Sequence, residues 1–307
     1  MFFGAIILLS VVTVKLLHSS KYPMIEVLKP AKMFTLVALS GWVLACLMSC
    51  QGFSINGDTP AILDQVWYWT AVVSCCPLIS ILGAKRPTSR VWTWFIIVPL
   101  IAVLGWPAVT VLSQFPRFTP LEIQLPVFIG FVLVLVMGVG NYLGSRYALS
   151  AFFCGVAILL TLWPLSNLFE GDIASTNYWR AAAALVLGVA MLHGFRQSER
   201  PMLEESPFDK LWFDFCDSFG IVWSMRIQDR INQLAEQEKW SVRLGTEGFN
   251  WQKGIALEEQ IHSTERLEQT LRWLLRRFVE PEWIDQRLKM STTSTRDESS
   301  TRDIEEL

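Results

Sequence analysis

Charge is scarce in this sequence. Asp, Glu, Lys and Arg make up 18% of its 307 residues, against about 25% in soluble domains. The deficit is uneven: residues 1–194 hold ten Lys/Arg and six Asp/Glu, whereas residues 195–307 hold 16 and 22. A net charge of −2 provides no broad basic surface for a phosphate backbone, which excludes nucleic acid as a partner. The chain has three histidines and no C-x-x-C spacing, so it offers little to hold a structural metal. Of its six cysteines, Cys46, Cys50, Cys75, Cys76 and Cys154 fall in apolar stretches and Cys216 in the polar part. That distribution is not a disulfide framework; the thiols read as small packing residues. Walker loop, H-E-x-x-H, nucleophile elbow and kinase signatures are also missing. The sequence therefore leans away from an enzyme, and no cofactor is expected.

Long apolar runs are what the chain does have. Hydrophobic residues make up 52% of it, and mean hydropathy is +0.36. A bilayer-spanning helix needs ~20 mostly apolar residues, because the hydrocarbon core is ~30 Å thick and a helix rises ~1.5 Å per residue. Seven stretches qualify: 2–17, 33–52, 61–82, 91–112, 125–143, 147–169 and 177–193. Open strands cannot cross lipid, so these runs predict a seven-helix transmembrane bundle over 1–194.

Basic residues orient the bundle. Lys85, Arg86 and Arg90 form a knuckle between the third and fourth runs. Lys and Arg in successive connections number three, none, three, one, one, none and two. The alternation places the N-terminus outside and the C-terminal part in the cytoplasm. The first run is short and contains Lys15, which can snorkel to the inner interface. Positive charge follows this run rather than preceding it, as expected of a retained helix rather than a cleaved signal peptide.

No ionisable residue falls near the middle of any run, which argues against a proton pump or ion pathway. Cys75, Cys76, Pro77, Pro99, Pro107 and Pro164 occupy the interiors instead. Proline bends a helix, and bent helices either pack or line a cavity. The patterns Gly140-x-x-x-Gly144, Ala151-x-x-x-Gly155 and Ala184-x-x-x-Gly188 predict close approach among the last three spans. His18 and His193, at inner span ends, are the one two-histidine pair that could ligate haem.

Residues 201–290 read as a small cytoplasmic module with helices and a hairpin. Ser206-Pro207-Phe208-Asp209 is a helix start, with a cap, a first-turn proline and an acid at the positive end of the dipole. Apolar spacing predicts one helix from there to about Glu238, with Gly220 as a bend point. The aromatic first half of that helix could dock onto protein or lie on the membrane. Its acids Asp209, Asp214 and Asp217 disfavour an anionic lipid surface. Period-two patterning around Gly245-Thr246-Glu247-Gly248 predicts a β-hairpin. A helix over 257–278 follows, carrying Arg272, Arg276 and Arg277, a possible phosphate contact or a solvated ion-pair face. Residues 291–307, nearly all Ser, Thr, Asp, Glu and Arg, are expected to be disordered.

The sequence thus describes an all-α multi-pass membrane protein with lipids around its bundle. A scaffold or regulator acting through a protein partner at the module is the leading expectation. A transporter or channel for a neutral or lipid-like substrate is the alternative, and a membrane-bound haem or lipid-modifying enzyme a third. The topology is testable. A reporter fused after Gly194 is expected in the cytoplasm and one inserted at Asp58 outside; the reverse result would overturn the layout.

Overall fold

The computed structural model describes residues 1–18, 25–51, 59–84, 89–113, 121–169, 171–199, 206–252 and 257–288. The described residues are mostly helical, with one two-stranded sheet among them, and the chain divides into two compact units. Among the described residues the first unit holds seven α-helices: α1 (Phe2–His18), α2 (Lys29–Gln51), α3 (Thr59–Leu82), α4 (Ser89–Leu112), α5 (Leu125–Gly140), α6 (Ala148–Leu162) and α7 (Ile173–Glu199). Among the described residues, five helical stretches are long and apolar enough to cross a membrane: Glu26–Gln51, Ala61–Leu82, Trp94–Leu112, Ala148–Leu165 and Ile173–Glu199. The helices α1 and α5 are apolar but shorter.

The sequence expectation of seven full spans is met only in part. At ~1.5 Å per residue the 16 residues of α5 reach ~24 Å, less than the ~30 Å hydrocarbon core. Hydrophobicity continues past Gly140 to Leu143, but the chain turns there and reaches Gly144 at φ +82°. The expected sixth run likewise stops short. Pro164 does not kink a continuing helix; it lies in a 3₁₀ turn, Trp163–Leu165, that ends α6. Behind that turn, Ile123 N–H donates to the Leu165 carbonyl at 2.7 Å and pairs in parallel with Ser166.

The most buried of the five long helices is α3, which packs against α2, α4, α5 and α6. Two cores meet on it. Tyr68, Val72 and Cys75 pack with Leu104, Phe131, Leu135, Ile158 and Leu162. Trp67 packs with Leu9, Trp42, Cys46, Ala157, Ala184 and Leu187. The most extensive helix pair is α2 with α3, whereas small-residue spacing had singled out the last three spans. Of those small residues, Gly188 admits Leu8 of α1 and Gly155 admits Val139 of α5, while nothing approaches Gly140 or Gly144. Spacing finds positions where close approach is possible; packing partners decide which are used.

In the second unit, α8 (Pro207–Phe219), α9 (Ile221–Gln237), a hairpin of β1 (Val242–Gly245) and β2 (Gly248–Trp251), and α10 (Leu257–Leu275) are joined by a helical segment at 281–288 and by Ile25–Val27. The single helix expected from Ser206 is two helices. Gly220 adopts φ +76°, ψ −178°, a conformation open to glycine alone, and the chain breaks there. Rings from both sides of the break, Phe215, Phe219 and Trp223, close around Phe278 at centroid distances of 5.4, 5.4 and 5.0 Å.

Side chains seal both edges of the hairpin. Leu244 and Phe249 face each other in the register, so their N–H groups point outward. Asn232 of α9 covers one edge as a backbone would: Leu244 N–H donates to its Oδ1 at 2.8 Å, and its Nδ2 donates to the Leu244 carbonyl at 2.9 Å. Asp209 of α8 covers the other, accepting from Phe249 N–H at 2.7 Å. Gly248 sits beside that carboxylate at φ +105°, where a Cβ would strike it. Gly248→Ala is therefore expected to destabilise the second unit by at least about 2 kcal/mol. Gly245→Ala, where the nearest side-chain contact would be 3.4 Å, should cost less than about 1 kcal/mol. Thermal melting of the full chain, read by proteolysis within 206–288, compares the two.

Candidate functional site

The bundle's most strongly polar feature is an ion pair. Arg180 Nη2 of α7 donates to Asp64 Oδ1 of α3 at 2.5 Å, with their side chains 3% and 17% exposed. By helix rise, Asp64 lies ~7 Å along α3 and Arg180 ~10 Å along α7. Both are thus past the first turn rather than at the helix tips. The guanidinium lies 5.9 Å from the Trp67 ring. Trp67 indole N–H donates to Ser49 Oγ at 3.2 Å, and Trp42 indole N–H donates to Ser74 Oγ at 2.9 Å. The two tryptophans meet edge to face at 5.6 Å, with Phe2 against Trp67 on another side. Four helices, α1, α2, α3 and α7, thus converge on one cluster of indoles, hydroxyls and an ion pair.

A buried charge of this kind is costly unless paired, and pairing is what the geometry supplies. In sequence Asp64 and Arg180 lie 116 positions apart, each towards the end of an apolar run. Their opposite signs near the ends of two apolar runs were the available signal.

A second polar set ties α3 to α4 next to Pro107. Tyr68 donates its hydroxyl to the Leu104 carbonyl, and Gln65 Nε2 donates to the Ala108 carbonyl at 3.3 Å. Trp69 fills the space over Gly105. The Pro107 turn is therefore capped by side chains of α3. Pro77 is half-buried and its carbonyl accepts from Ser80 Oγ at 2.8 Å, while Pro99 faces outward. Cys75 and Cys76 are fully buried in different clusters, Cys75 with Tyr68 and Phe131, Cys76 with Phe34 and Ile97. All six cysteines are free thiols.

His18 and His193 are both engaged. His18 Nδ1 donates to the Val14 carbonyl of its own helix at 3.0 Å. His193 bridges α6 and α7: Ser150 Oγ lies 2.9 Å from Nδ1, and Gln197 Nε2 donates to Nε2 at 3.1 Å. A donor at Nε2 sets the proton on Nδ1, which donates to Ser150. Both nitrogens of His193 are thus occupied by protein partners. Lys85 and Arg86 lie outside the described residues, and Arg90 is described only through the helical backbone of α4.

Arg272 forms ion pairs with Glu268 at 2.8 Å and Asp285 at 2.5 Å. Arg276 and Arg277 are exposed, with Arg277 stacked 5.2 Å from the Trp273 ring. The three arginines therefore divide into one structural cation and two outward ones. Burial holds the Asp209 carboxyl above its usual range, against the opposing effect of the Phe249 N–H. Burial also pushes the Cys216 thiol up to about 11, so it is protonated at neutral pH. Among the described residues, no group of three or more His, Cys, Asp or Glu could hold a metal ion.

Comparison with known protein families, curated proteins and solved structures finds no match to this chain. Arg180→Met leaves the Asp64 carboxylate without its cation and is expected to cost about 3–5 kcal/mol, whereas Asp64→Asn with Arg180→Met should recover most of the loss. Thermal unfolding of the detergent-solubilised full chain reads both. Equal loss in single and double variants would show that the pair acts other than by mutual neutralisation.

Proposed function

We propose that the chain is a seven-helix multi-pass membrane protein, with its N-terminus outside and its C-terminal part in the cytoplasm. In this reading, the bundle anchors a cytoplasmic module that binds or regulates another protein. The observation that carries it is the construction of the second unit. That unit has its own aromatic core around Phe278, sealed hairpin edges, and a segment of the first inter-helix connection, Ile25–Val27, folded into it. Val27 and Ile25 are buried there, and Glu26 N–H donates to Glu280 Oε1 at 3.3 Å. The distribution of polar partners fits the same reading. Asp64, Arg180, His193, Arg272 and Asp209 each have a protein partner that fixes one element against another. The shorter α1 and α5 can complete seven spans by local thinning of the bilayer around them.

Photo-crosslinking tests the reading in native membranes. A benzophenone amino acid placed in the full chain at exposed Glu236, Arg243 or Glu247 is expected to give a discrete protein adduct of one size. Gly248→Ala, which strains the hairpin, should abolish that adduct. Adducts of no defined size at all three positions would contradict a dedicated protein partner.

A further inference from the structure

We propose that one turn of α3 carries two internal water sites, one that accepts a hydrogen bond from Arg180 Nε and one that donates to Gln65 Oε1. Both lie within the first unit, and neither depends on how that unit is oriented.

Arg180 supplies the first. The residue is 2% exposed, and its guanidinium carries five N–H donors. Asp64 takes one nitrogen, Nη2 on Oδ1, rather than the two that a fork-to-fork pair would take. Nε is buried and has no hydrogen-bond partner among the described residues. The ring of Trp67, 5.9 Å from Arg180 Cζ, offers a π face but no lone pair. A charged donor buried without an acceptor is among the costliest groups a core can hold, so an acceptor is expected at Nε.

Gln65 supplies the second, on another side of the helix. Successive residues of α3 point ~100° apart. Asp64 turns to Arg180 of α7, and Gln65 turns to α4, where its Nε2 donates to the Ala108 carbonyl at 3.3 Å. That bond sets which end of the amide is the donor. It leaves Oε1 as a buried acceptor with no donor among the described residues, in a residue 6% exposed. Pro107 of the facing turn has no N–H to offer, and the Tyr68 hydroxyl is spent on the Leu104 carbonyl.

One of these atoms is a donor and the other an acceptor, and that contrast identifies the ligand. An anion would suit Arg180 Nε but would meet the Asp64 carboxylate on the same guanidinium. A cation would suit Gln65 Oε1, yet among the described residues no group of three or more His, Cys, Asp or Glu could hold a metal ion. Water donates and accepts and carries no charge. It is the usual partner of buried polar groups that a protein leaves unmet, at about one internal water per 27 residues. At the two sites it completes the joints of α3 with α7 and with α4.

Radiolytic hydroxyl labelling of the detergent-solubilised full chain is the test. An X-ray pulse splits water where it lies, so an internal water marks the side chains beside it even where bulk solvent does not reach. Trp67 and Tyr68 are fully buried. Trp67 borders Arg180, and Tyr68 follows Gln65 by three residues, on the same face of α3. Both are expected to be oxidised several-fold faster than the comparably buried Trp283 and Phe219, after normalisation to the intrinsic reactivity of each side chain. With heavy-oxygen water mixed in just before the pulse, the oxygen they gain should be largely the light isotope, the mark of slowly exchanging water. Gln65→Leu should lower labelling of Tyr68 to the reference rate and spare Trp67; Arg180→Met with Asp64→Asn should do the reverse. Labelling of Trp67 and Tyr68 in the native chain no faster than that of Trp283 and Phe219 overturns both sites, whether or not the variants fold. Fast labelling that carries heavy oxygen comes from bulk solvent entering a breathing bundle, and overturns them as well. Labelling unchanged in a variant that melts like the native chain overturns the site assigned to the replaced residue.

Discussion

Polar groups buried among apolar helices have no water to turn to, and the bundle's architecture meets that demand internally. The Asp64–Arg180 pair is where the demand is greatest. It joins α3, which lies at the centre of the bundle, to α7, which leads into the rest of the chain. Around it the indoles of Trp42 and Trp67 point their N–H groups at serine hydroxyls. Tyr68 and Gln65 apply the same logic on the next face of α3, spending their donors on carbonyls near Pro107. One helix therefore satisfies polar atoms of its neighbours on two sides while its apolar residues fill two cores. Replacing it would disturb both.

The second unit solves a different problem. A two-stranded hairpin is marginal alone because each strand has an unpaired edge. Asn232 and Asp209 close those edges from two helices, so the hairpin is held as the middle of a larger arrangement. The break at Gly220 makes this possible. It lets α8 present Asp209 to one edge while α9 presents Asn232 to the other. Ile25–Val27, from the far end of the sequence, completes the unit.

Much of this was legible in the sequence, for identifiable reasons. Apolar runs of 16 residues or more located all seven described helices of the first unit, most boundaries falling within a few residues. Period-two patterning about Gly245 and Gly248 found the hairpin, and Ser206-Pro207 found the start of α8. Failures came where a local signal needed a distant partner to interpret it. Hydrophobicity ran on past Gly140 and through Pro164, but tertiary turns ended α5 and α6 there. Small residues at four-residue spacing marked Gly140 as readily as Gly188, and only Gly188 has a side chain lodged against it. Asp64 and Arg180 lie 116 positions apart, so no periodicity could join them. The acids of α8 suggested an exposed acidic face, and the fold turns them inward.

The central claim is that one unit of this protein is assembled from the first inter-helix connection and the C-terminal part, which in the proposed membrane-spanning reading lie on one side. The most direct measurement is a cross-link in intact membranes between Glu26→Cys and Glu280→Cys, whose parent residues are joined by a 3.3 Å hydrogen bond. A short bis-maleimide is expected to bridge the two cysteines within a single chain, with neither single variant giving the product. If the pair does not cross-link, and the two cysteines label with a membrane-impermeant reagent from opposite sides, the account is contradicted at its base.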